Sequence, residues 1–372
     1  MLIKRIFLLI IFGLFTFVLC YLPASAMNVS AECAVVMNAE TFEVVYQKNP
    51  HMKRSMASTT KIMTSLLAIE SGRLNDTVTV RMNTLPEGTS IGAKQGYKYK
   101  LEDLVYGMLL ESGNDAALIT AEYLCGNERS FADSMNRKAD TLGMKSSNFV
   151  TSSGLDDKEH YSTAYDMALL GTYAIKNEKF REICSTKTKC VKLIKPDISV
   201  TFSNHNRLLK SCDGVFGIKT GFTKKSGRCL VTACERNGVT YVISTLNAPD
   251  DWNDHQKLYD YAFSETRKCR CAFAGFPKIK VYGGNIGEIS VSCNSLIISY
   301  VKKGDYNTKI VLPHFVYAPL KKGEKLGEIR IISGDKVICS DDIYSDISVL
   351  PMQTNKKPKK SFLKKIIEFI KK

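Results

Sequence analysis

A short stretch near the start of the chain, residues 57–69, constrains the fold more than any other. Ser58 and Lys61 stand three residues apart, and the apolar residues that follow are spaced mostly as on one face of a helix. These apolar residues are Ile62, Met63, Leu66, Leu67 and Ile69. The pattern predicts a helix buried in a core, with Ser58 and Lys61 sharing a face of its first turn.

This pairing of a hydroxyl with an amine suggests a serine nucleophile that carries its own base. A serine hydroxyl is a poor nucleophile until a neighbouring group takes its proton. Burial lowers the pKa of a lysine amine, so Lys61 can be that base, and free N–H groups at a helix start favour an oxyanion. The spacing alone is weak evidence, because Ser-x-x-Lys recurs at Ser299, Ser333 and Ser361.

A second polar stretch interrupts an apolar helical region. Residues 101–125 have the spacing of two helical halves, and the junction between them contains Ser112-Gly113-Asn114. A turn held between two packed helices is a rigid place from which a hydroxyl and an amide can reach a cleft. The alternative is an ordinary helix junction in which Ser112 or Asn114 caps the next helix.

A third stretch, residues 214–221, is strand-like and ends in Lys219-Thr220-Gly221. Further strand-like runs at 230–233 and 240–246 predict an antiparallel meander. A glycine on a strand lets a ligand lie against the backbone, and a cation beside a hydroxyl suits a carboxylate. By itself, a Lys-Thr-Gly sequence is more simply explained as a surface turn.

His160 is the first residue of a segment, residues 160–176, that predicts an N-capped helix. A histidine is a natural acid–base group at neutral pH. The sequence places no acid nearby to orient its ring, so we interpret His160 as a structural residue.

The three motifs occur in order, each in the setting that it requires, and together they resemble those of the penicillin-interacting serine enzymes. More closely, the chain resembles the D-alanyl-D-alanine carboxypeptidases among the low-molecular-mass penicillin-binding proteins. Residues 57–64, 160–164 and 213–221 carry this resemblance, which extends over roughly residues 30–350. It implies an α+β fold, a penicillin-binding-protein/β-lactamase-like transpeptidase domain whose antiparallel sheet has helices on both sides.

The resemblance also implies a chemistry and assigns the catalytic roles. Ser58 attacks the peptide bond between the two terminal D-alanines of a peptidoglycan stem peptide, and water then hydrolyses the acyl-enzyme. Lys61 acts as the general base, Ser112 relays a proton, and Asn114 holds the substrate amide and orients Lys61. β-Lactams imitate the D-Ala-D-Ala end, so they are expected to acylate Ser58.

The remaining roles concern substrate binding. Lys219, Thr220 and Gly221 are expected to receive the terminal carboxylate, and the backbone N–H groups of Ser58 and Phe222 are expected to form the oxyanion hole. Phe222 departs from the family pattern, since relatives often have a polar residue there. Backbone donation does not depend on the side chain. Neither a metal nor another cofactor is implied.

Three alternatives share the acylation step. A D,D-endopeptidase would cut cross-links, and a penicillin-binding sensor would turn over poorly. A class A β-lactamase is disfavoured, because such enzymes have Ser-Asp-Asn in place of Ser112-Gly113-Asn114 and need a deacylating glutamate. No glutamate lies between Glu128 and Glu159.

The domain boundaries follow from changes in composition. Residues 1–26 have the charged start, apolar stretch and small-residue cleavage site of a secretory signal peptide; an uncleaved anchor or lipid attachment at Cys20 are the alternatives. The catalytic domain is then expected at 27–267. Short β-rich runs at 268–350 predict a small all-β sandwich that acts as a spacer or partner-binding domain.

The last segment, residues 351–372, predicts a basic linker and an amphipathic helix. Eight lysines and one glutamate in 356–372 supply +7 of the formal net charge of +15. A short basic amphipathic helix is typical of peripheral binding to an anionic membrane surface, although a solvated basic tail is the alternative. We therefore expect an exported protein on the outer face of the cytoplasmic membrane and no nucleic-acid partner.

The twelve cysteines are scattered, without Cys-x-x-Cys pairs or Cys/His clusters, so a zinc site is not predicted. Several lie inside apolar runs, where a free thiol packs as a small apolar group. Export makes disulfides possible, but the spacing specifies none.

Overall fold

The computed structural model describes residues 27–81, 86–270, 275–293, 298–302 and 306–352. The predicted signal peptide and the basic tail lie outside these residues. The described chain forms two compact units. The first contains the described residues up to Met37 together with Tyr46–Tyr261, and the second contains Asn38–Val45 together with the described residues from Ala262 onward.

The strands of the first unit are β1 (Cys33–Asn38), β2 (Val44–Lys48), β3 (Thr77–Thr79), β4 (Lys98–Lys100), β5 (Thr188–Lys192), β6 (Ser199–Ser203), β7 (Val215–Thr223), β8 (Gly227–Arg236) and β9 (Val239–Leu246). A five-stranded sheet with the order β2-β1-β9-β8-β7 is the framework of this unit. The chain passes from β7 to β8 to β9 through antiparallel neighbours, which is the predicted meander. Two short antiparallel strand pairs, β3–β4 and β5–β6, accompany the sheet.

Eight α-helices pack around this sheet in the described chain, after a 3-10 turn at Ala57–Thr60. They are α1 (Lys61–Glu70), α2 (Leu101–Leu109), α3 (Asn114–Cys125), α4 (Glu128–Leu142), α5 (Ala164–Ala174), α6 (Glu178–Ser185), α7 (Leu208–Ser211) and α8 (Asp251–Glu265). Val231 and Thr232 are successive residues of β8, so their side chains face opposite sides of the sheet. A Cβ on Gly171 of α5 would lie 3.0 Å from Val231, and His255 of α8 bonds to Thr232 at 2.7 Å. Helices therefore cover both faces of the sheet, as expected.

Two helices beside the site begin a few residues later than the sequence predicts, α1 at Lys61 and α5 at Ala164. The Ser58 segment enters α1 through a 3-10 turn instead of a regular α-turn, because the Thr59 N–H bonds back to the carbonyl of Met56 at 3.2 Å. The hydroxyl of Thr163 caps α5 by accepting from the Asp166 N–H at 3.1 Å. The predicted junction between two helices separates α2 from α3.

Apart from the end of α8, β-strands are the regular elements found among the described residues of the second unit, in agreement with the predicted all-β fold. Its described strands are β10 (Thr266–Arg270), β11 (Ile279–Tyr282), β12 (Glu288–Ile289), β13 (Val291–Cys293), β14 (Ile298–Lys302), β15 (Asn307–Val311), β16 (Phe315–Tyr317), β17 (Lys325–Ser333) and β18 (Lys336–Ser345). One sheet has the order β12-β11-β16 and another β13-β18-β17-β15. Ile279 and Val281 of the first sheet share a core with Ile329 and Ile343 of the second, which is the arrangement of a sandwich.

The Ser-x-x-Lys repeats at Ser299 and Ser333 fall on β14 and β17, as expected, and not at the start of a helix. The third repeat, at Ser361, lies outside the described residues. None of the helices in the described part of the chain combines the length and the apolar character that crossing a bilayer requires.

Buried thiols behave as small apolar groups in this fold. Cys184, Cys229 and Cys234 are buried, and burial raises their thiol pKa values to about 12, 11 and 12.

Candidate active site

The amine of Lys61 lies at the centre of a cluster of polar groups at the start of α1. Its Nζ atom is 2.9 Å from the Oγ of Ser58, 2.7 Å from the Oδ1 of Asn114 and 2.7 Å from the carbonyl oxygen of Ser153. The side chain is fully buried. Two acceptors therefore hold the amine, and the serine hydroxyl is its third polar neighbour.

Burial sets the protonation of this amine. Desolvation, and then the positive charge of Lys219, hold the pKa of Lys61 well below the usual lysine value, while Asp115 opposes the shift. A neutral amine has two hydrogens and one lone pair. Asn114 and Ser153 can accept the two hydrogens, which leaves the lone pair for the hydroxyl of Ser58.

The backbone holds Ser58 in a strained turn. Ala57, the residue before it, has a positive φ of 48°, which is uncommon for a residue with a side chain. Gly154 packs directly against this turn, because a Cβ at Gly154 would lie 1.9 Å from the carbonyl oxygen of Ala57. Strain of this kind persists only where the surroundings fix the backbone, and it often marks functional sites.

Ser112 is the second non-glycine residue of the cluster with a positive φ, here 64°. Its side chain is 7% exposed, and it lines the same cavity as Ser58. The junction between α2 and α3 thus presents Ser112 to the cavity and Asn114 to Lys61. The amide of Asn114 is held at both ends, because its Nδ2 also donates to the carbonyl of Glu87 at 2.6 Å.

Asp115 fixes this junction and was not identified from the sequence. Its buried carboxylate accepts from the hydroxyl of Ser90 at 2.5 Å and from the backbone N–H groups of Ile91 and Ala93 at 3.0 and 3.1 Å. These bonds tie the loop after residue 86 to the start of α3. The signal in the sequence is an acid directly after Ser112-Gly113-Asn114, at the start of an apolar helix.

The carbonyl that accepts from Lys61 belongs to another turn that sequence reasoning missed. Glu128 accepts from the backbone N–H and the hydroxyl of Ser152 at 2.8 and 2.7 Å. Thr64, one turn along α1 from Lys61, donates to the Ser152 carbonyl at 2.6 Å. Glu128 and Thr64 therefore hold the Ser152–Ser153 turn against the helix that carries the lysine.

Lys219 enters the site from β7, which forms one edge of the sheet. Its Nζ donates to the carbonyl of Thr220 at 2.9 Å and lies 3.4 Å from the Thr220 hydroxyl. Burial lowers the pKa of Lys219 to about 7, and the carboxylate of Glu111 opposes the shift. Among the described hydrogen bonds, none joins Lys219 to Ser112.

Gly221 brings β7 against the turn that carries the serine. A Cβ at Gly221 would lie 3.1 Å from the backbone nitrogen of Ser58 and 3.0 Å from that of Thr59. Only glycine leaves this approach open. The next residue, Phe222, is 65% exposed, so its ring stands in solvent beside the strand.

A cavity of about 310 Å³ opens over these residues. Ser58, Ser112, Thr220, Gly221 and Phe222 line it together with Thr89, His205, Arg207, Arg228, Asp251 and Trp252. This cavity is thus lined by all of the predicted site residues except the two buried lysines and Asn114. Arg207 and Arg228, which the sequence did not single out, bring positive charge to its rim, and Asp251 pairs with Arg228 at 2.9 Å.

His160 lies beneath the site. Its Nδ1 accepts from the Val150 N–H at 2.9 Å, and its Nε2 is 2.9 Å from the Thr60 hydroxyl. Burial lowers the ring pKa to about 4, so the imidazole is neutral at pH 7. Both nitrogens are occupied by contacts within the protein, which agrees with a structural role.

Comparison with known proteins identifies two matching families. The model of the family described as D-alanyl-D-alanine carboxypeptidase matches residues 22–250. The model described as the C-terminal domain of penicillin-binding protein 5 matches residues 274–351. The first match covers more than half of the chain.

Individual proteins agree with these families. The chain is 31% identical over 330 residues to the D-alanyl-D-alanine carboxypeptidase DacF of Bacillus subtilis, covering 84% of each chain. It is 32% identical to the DacC carboxypeptidase of Escherichia coli, covering 82% of this chain and 80% of that protein. The crystal structure of penicillin-binding protein 5 from Haemophilus influenzae superposes with a TM-score of 0.70 at 26% identity, covering 88% of this chain and 99% of that one.

Proposed function

The chain belongs to the D-alanyl-D-alanine carboxypeptidase family, and we propose that Ser58 is the residue through which it forms an acyl-enzyme. It is a serine-type D-alanyl-D-alanine carboxypeptidase. The proposed substrate is a peptidoglycan stem pentapeptide, from which the enzyme removes the terminal D-alanine and so limits cross-linking. The observation that carries the proposal is the buried amine of Lys61, 2.9 Å from the Ser58 hydroxyl.

In the first step, the oxygen of Ser58 attacks the carbonyl carbon between the two D-alanines. Neutral Lys61 takes the hydroxyl proton, since its pKa is held low by burial. The carbonyl oxygen becomes an oxyanion that faces the backbone N–H groups of Ser58 and Phe222. The C–N bond then breaks, and D-alanine leaves with a proton that Ser112 relays to its nitrogen.

Lys219 and Thr220 supply the charge and the hydroxyl that hold the terminal carboxylate of the substrate. Asn114 keeps Lys61 oriented and donates its remaining amide hydrogen to the substrate. In the second step, water attacks the ester at Ser58, and the shortened stem peptide is released. A β-lactam presents a carboxylate and a reactive carbonyl in the same arrangement, so it acylates Ser58 as well.

Release of free D-alanine from a soluble pentapeptide by the purified full chain tests this function. We expect D-alanine and a tetrapeptide as the products. If labelled penicillin binds but no D-alanine appears, the protein is a sensor with poor turnover. If cross-linked dimers are cleaved and pentapeptides are not, it is an endopeptidase, and the proposed reaction is wrong.

We also propose that the enzyme is exported and held on the outer face of the cytoplasmic membrane by residues 356–372. The eight lysines of this segment and the apolar residues between them support binding to an anionic surface. A chain truncated after Met352 should release D-alanine at the same rate and lose its co-sedimentation with anionic vesicles. Equal co-sedimentation of the full and truncated chains would exclude the tail as the anchor.

A further inference from the structure

Three aromatic rings form an exposed patch on the second unit. Tyr282 of β11 and Phe315 and Tyr317 of β16 are 52%, 45% and 68% exposed. Their ring centroids are 5.4 to 6.2 Å apart, so the rings contact one another. Solvent-facing strand positions are usually polar, and a contiguous exposed patch of this kind marks a binding surface.

The register explains why the rings point outward. Tyr282 pairs with Tyr317 in the parallel β11–β16 ladder, and Val281 pairs with Val316 one position earlier. Val281 is buried in the sandwich core, and successive residues of a strand face opposite sides. The core is therefore complete on the inner face, and the three rings are left for a contact outside the chain.

The described chain ends beside this aromatic patch. The N–H of Met352 donates to the carbonyl of Gly283 at 2.8 Å, and Gly283 directly follows Tyr282. The carbonyl of Leu350 accepts from the Asn285 N–H at 2.9 Å. Leu350 and Met352 are 66% and 64% exposed, so they add apolar surface at the same edge.

The basic segment begins only four residues later, at Lys356. Four extended residues span at most about 14 Å. The basic segment is thus attached to the sandwich close to the aromatic patch, so a surface that attracts its lysines comes within reach of the rings. Lys280, beside Phe315 in the ladder, is paired in register with Glu288, so the two charges offset each other on this face.

We propose that this aromatic patch, Tyr282, Phe315 and Tyr317, lies in the interfacial layer of the anionic membrane that the tail binds. The proposal rests on the proposed tail attachment and adds a second contact to it. Aromatic side chains with a polar edge favour the level of the lipid headgroups. Two contacts fix the orientation of the second unit relative to the membrane surface, which a single terminal helix does not do.

The ring geometry favours a lipid layer over glycan strands as the partner. Phe315 stands at 85° to Tyr282 and at 82° to Tyr317. Sugar rings stack on flat, exposed aromatic faces, and edge-to-face rings do not form such a platform. An interfacial lipid layer accepts rings in any orientation.

Tryptophan fluorescence of the full chain tests the proposal, because Trp252 is the only native tryptophan. Tyr317→Trp places a second indole in the patch. In vesicles of phosphatidylcholine and phosphatidylglycerol with brominated acyl chains, we expect the added emission to be quenched. The unaltered chain, in which only Trp252 emits, provides the baseline. Sedimentation of the same samples shows whether the chain is bound.

A second measurement compares partitioning. Replacing Tyr282, Phe315 and Tyr317 by serine should weaken binding to these vesicles by roughly tenfold or more. Ile194→Ser with Ile198→Ser, which removes two side chains that are 45% and 44% exposed on the first unit, is the matched control and should not weaken it. Unchanged D-alanine release and thermal unfolding show that each variant is folded.

Different failures have different meanings. If the chain sediments with vesicles but the added indole is not quenched and the serine variant binds equally, the aromatic patch proposal is wrong and the tail attachment stands. If the full chain does not bind vesicles, both are wrong. If the serine variant instead loses binding to isolated peptidoglycan, the patch is a glycan site, which also overturns the proposal.

Discussion

The Nζ of Lys61 lies 2.9 Å from the Oγ of Ser58, and separate contacts hold each of the two groups in place. The carbonyl of Ser153 and the amide of Asn114 fix the amine, while the turn at Ala57 fixes the serine. Burial keeps the pKa of Lys61 low. The serine and its base are therefore set in position before any substrate binds.

Removing the base should almost abolish acylation. We expect Lys61→Ala to slow labelling by fluorescent penicillin by about a thousandfold, within the usual range for general acid–base catalysis. Lys61→Arg should be equally slow, since a guanidinium stays protonated at any accessible pH. Near-normal labelling of the arginine variant would show that a positive charge, and not a base, is required at this position.

The acylation rate plotted against pH should have an acidic limb set by the pKa of Lys61 and an alkaline limb set by the pKa of Lys219. Acylation requires neutral Lys61, so its rate falls as pH drops through the lowered pKa of this amine. Carboxylate binding requires charged Lys219, whose pKa is about 7, so the rate also falls as pH rises above neutrality.

Lys219→Arg separates these two limbs. Arginine keeps its charge at high pH. In this variant, the second-order rate constant for penicillin acylation should no longer fall above pH 7, while the acidic limb stays where it was. An alkaline limb that does not move would show that Lys219 is not the group that titrates there.

Asp115 is expected to act as a positioning residue. Asp115→Asn replaces an acceptor of several buried N–H groups with an amide that cannot accept from all of them, at a cost of roughly 1–3 kcal/mol. Acylation should slow by about tenfold to a hundredfold, and the slowing should persist at saturating penicillin. Exposed Asp133→Asn is the control and should change neither Tm nor the rate.

Gly154 is expected to be indispensable to the serine turn. In Gly154→Ala, the added methyl group meets the carbonyl of Ala57 and must displace the turn that carries Ser58. Gly143 has a similar positive φ, 81° against 87°, but has no neighbour within 4 Å of an added Cβ. Gly143→Ala should therefore cost only about 1 kcal/mol with normal acylation, whereas Gly154→Ala loses both stability and acylation. Equal effects of the two changes would disprove the steric explanation.

The sequence was sufficient for the fold and for finding the three motifs that the structure brings together. Helical periodicity after Ser58 and the strand-like run before Lys219 predict elements correctly because both are set by local apolar spacing. Ser112-Gly113-Asn114 could be read as a turn because it interrupts two apolar helices. These three stretches do border one opening in the structure.

The residues that hold the site's side chains in position could not be predicted in the same way. Ser153 contributes a backbone carbonyl, which no side-chain pattern reveals, and Glu128 acts through Ser152 from 24 residues away. The positive φ at Ala57 follows from tertiary packing against Gly154, since alanine itself disfavours that conformation. The membrane tail stays a prediction from composition.

Mass spectrometry of the full chain after reaction with benzylpenicillin tests the central claim most directly. We predict one penicilloyl adduct, mapped to the peptide that contains Ser58, and none in Ser58→Ala, which should also release no D-alanine. An adduct on another residue, or turnover that survives in Ser58→Ala, would contradict the assignment of Ser58 as the acylated nucleophile.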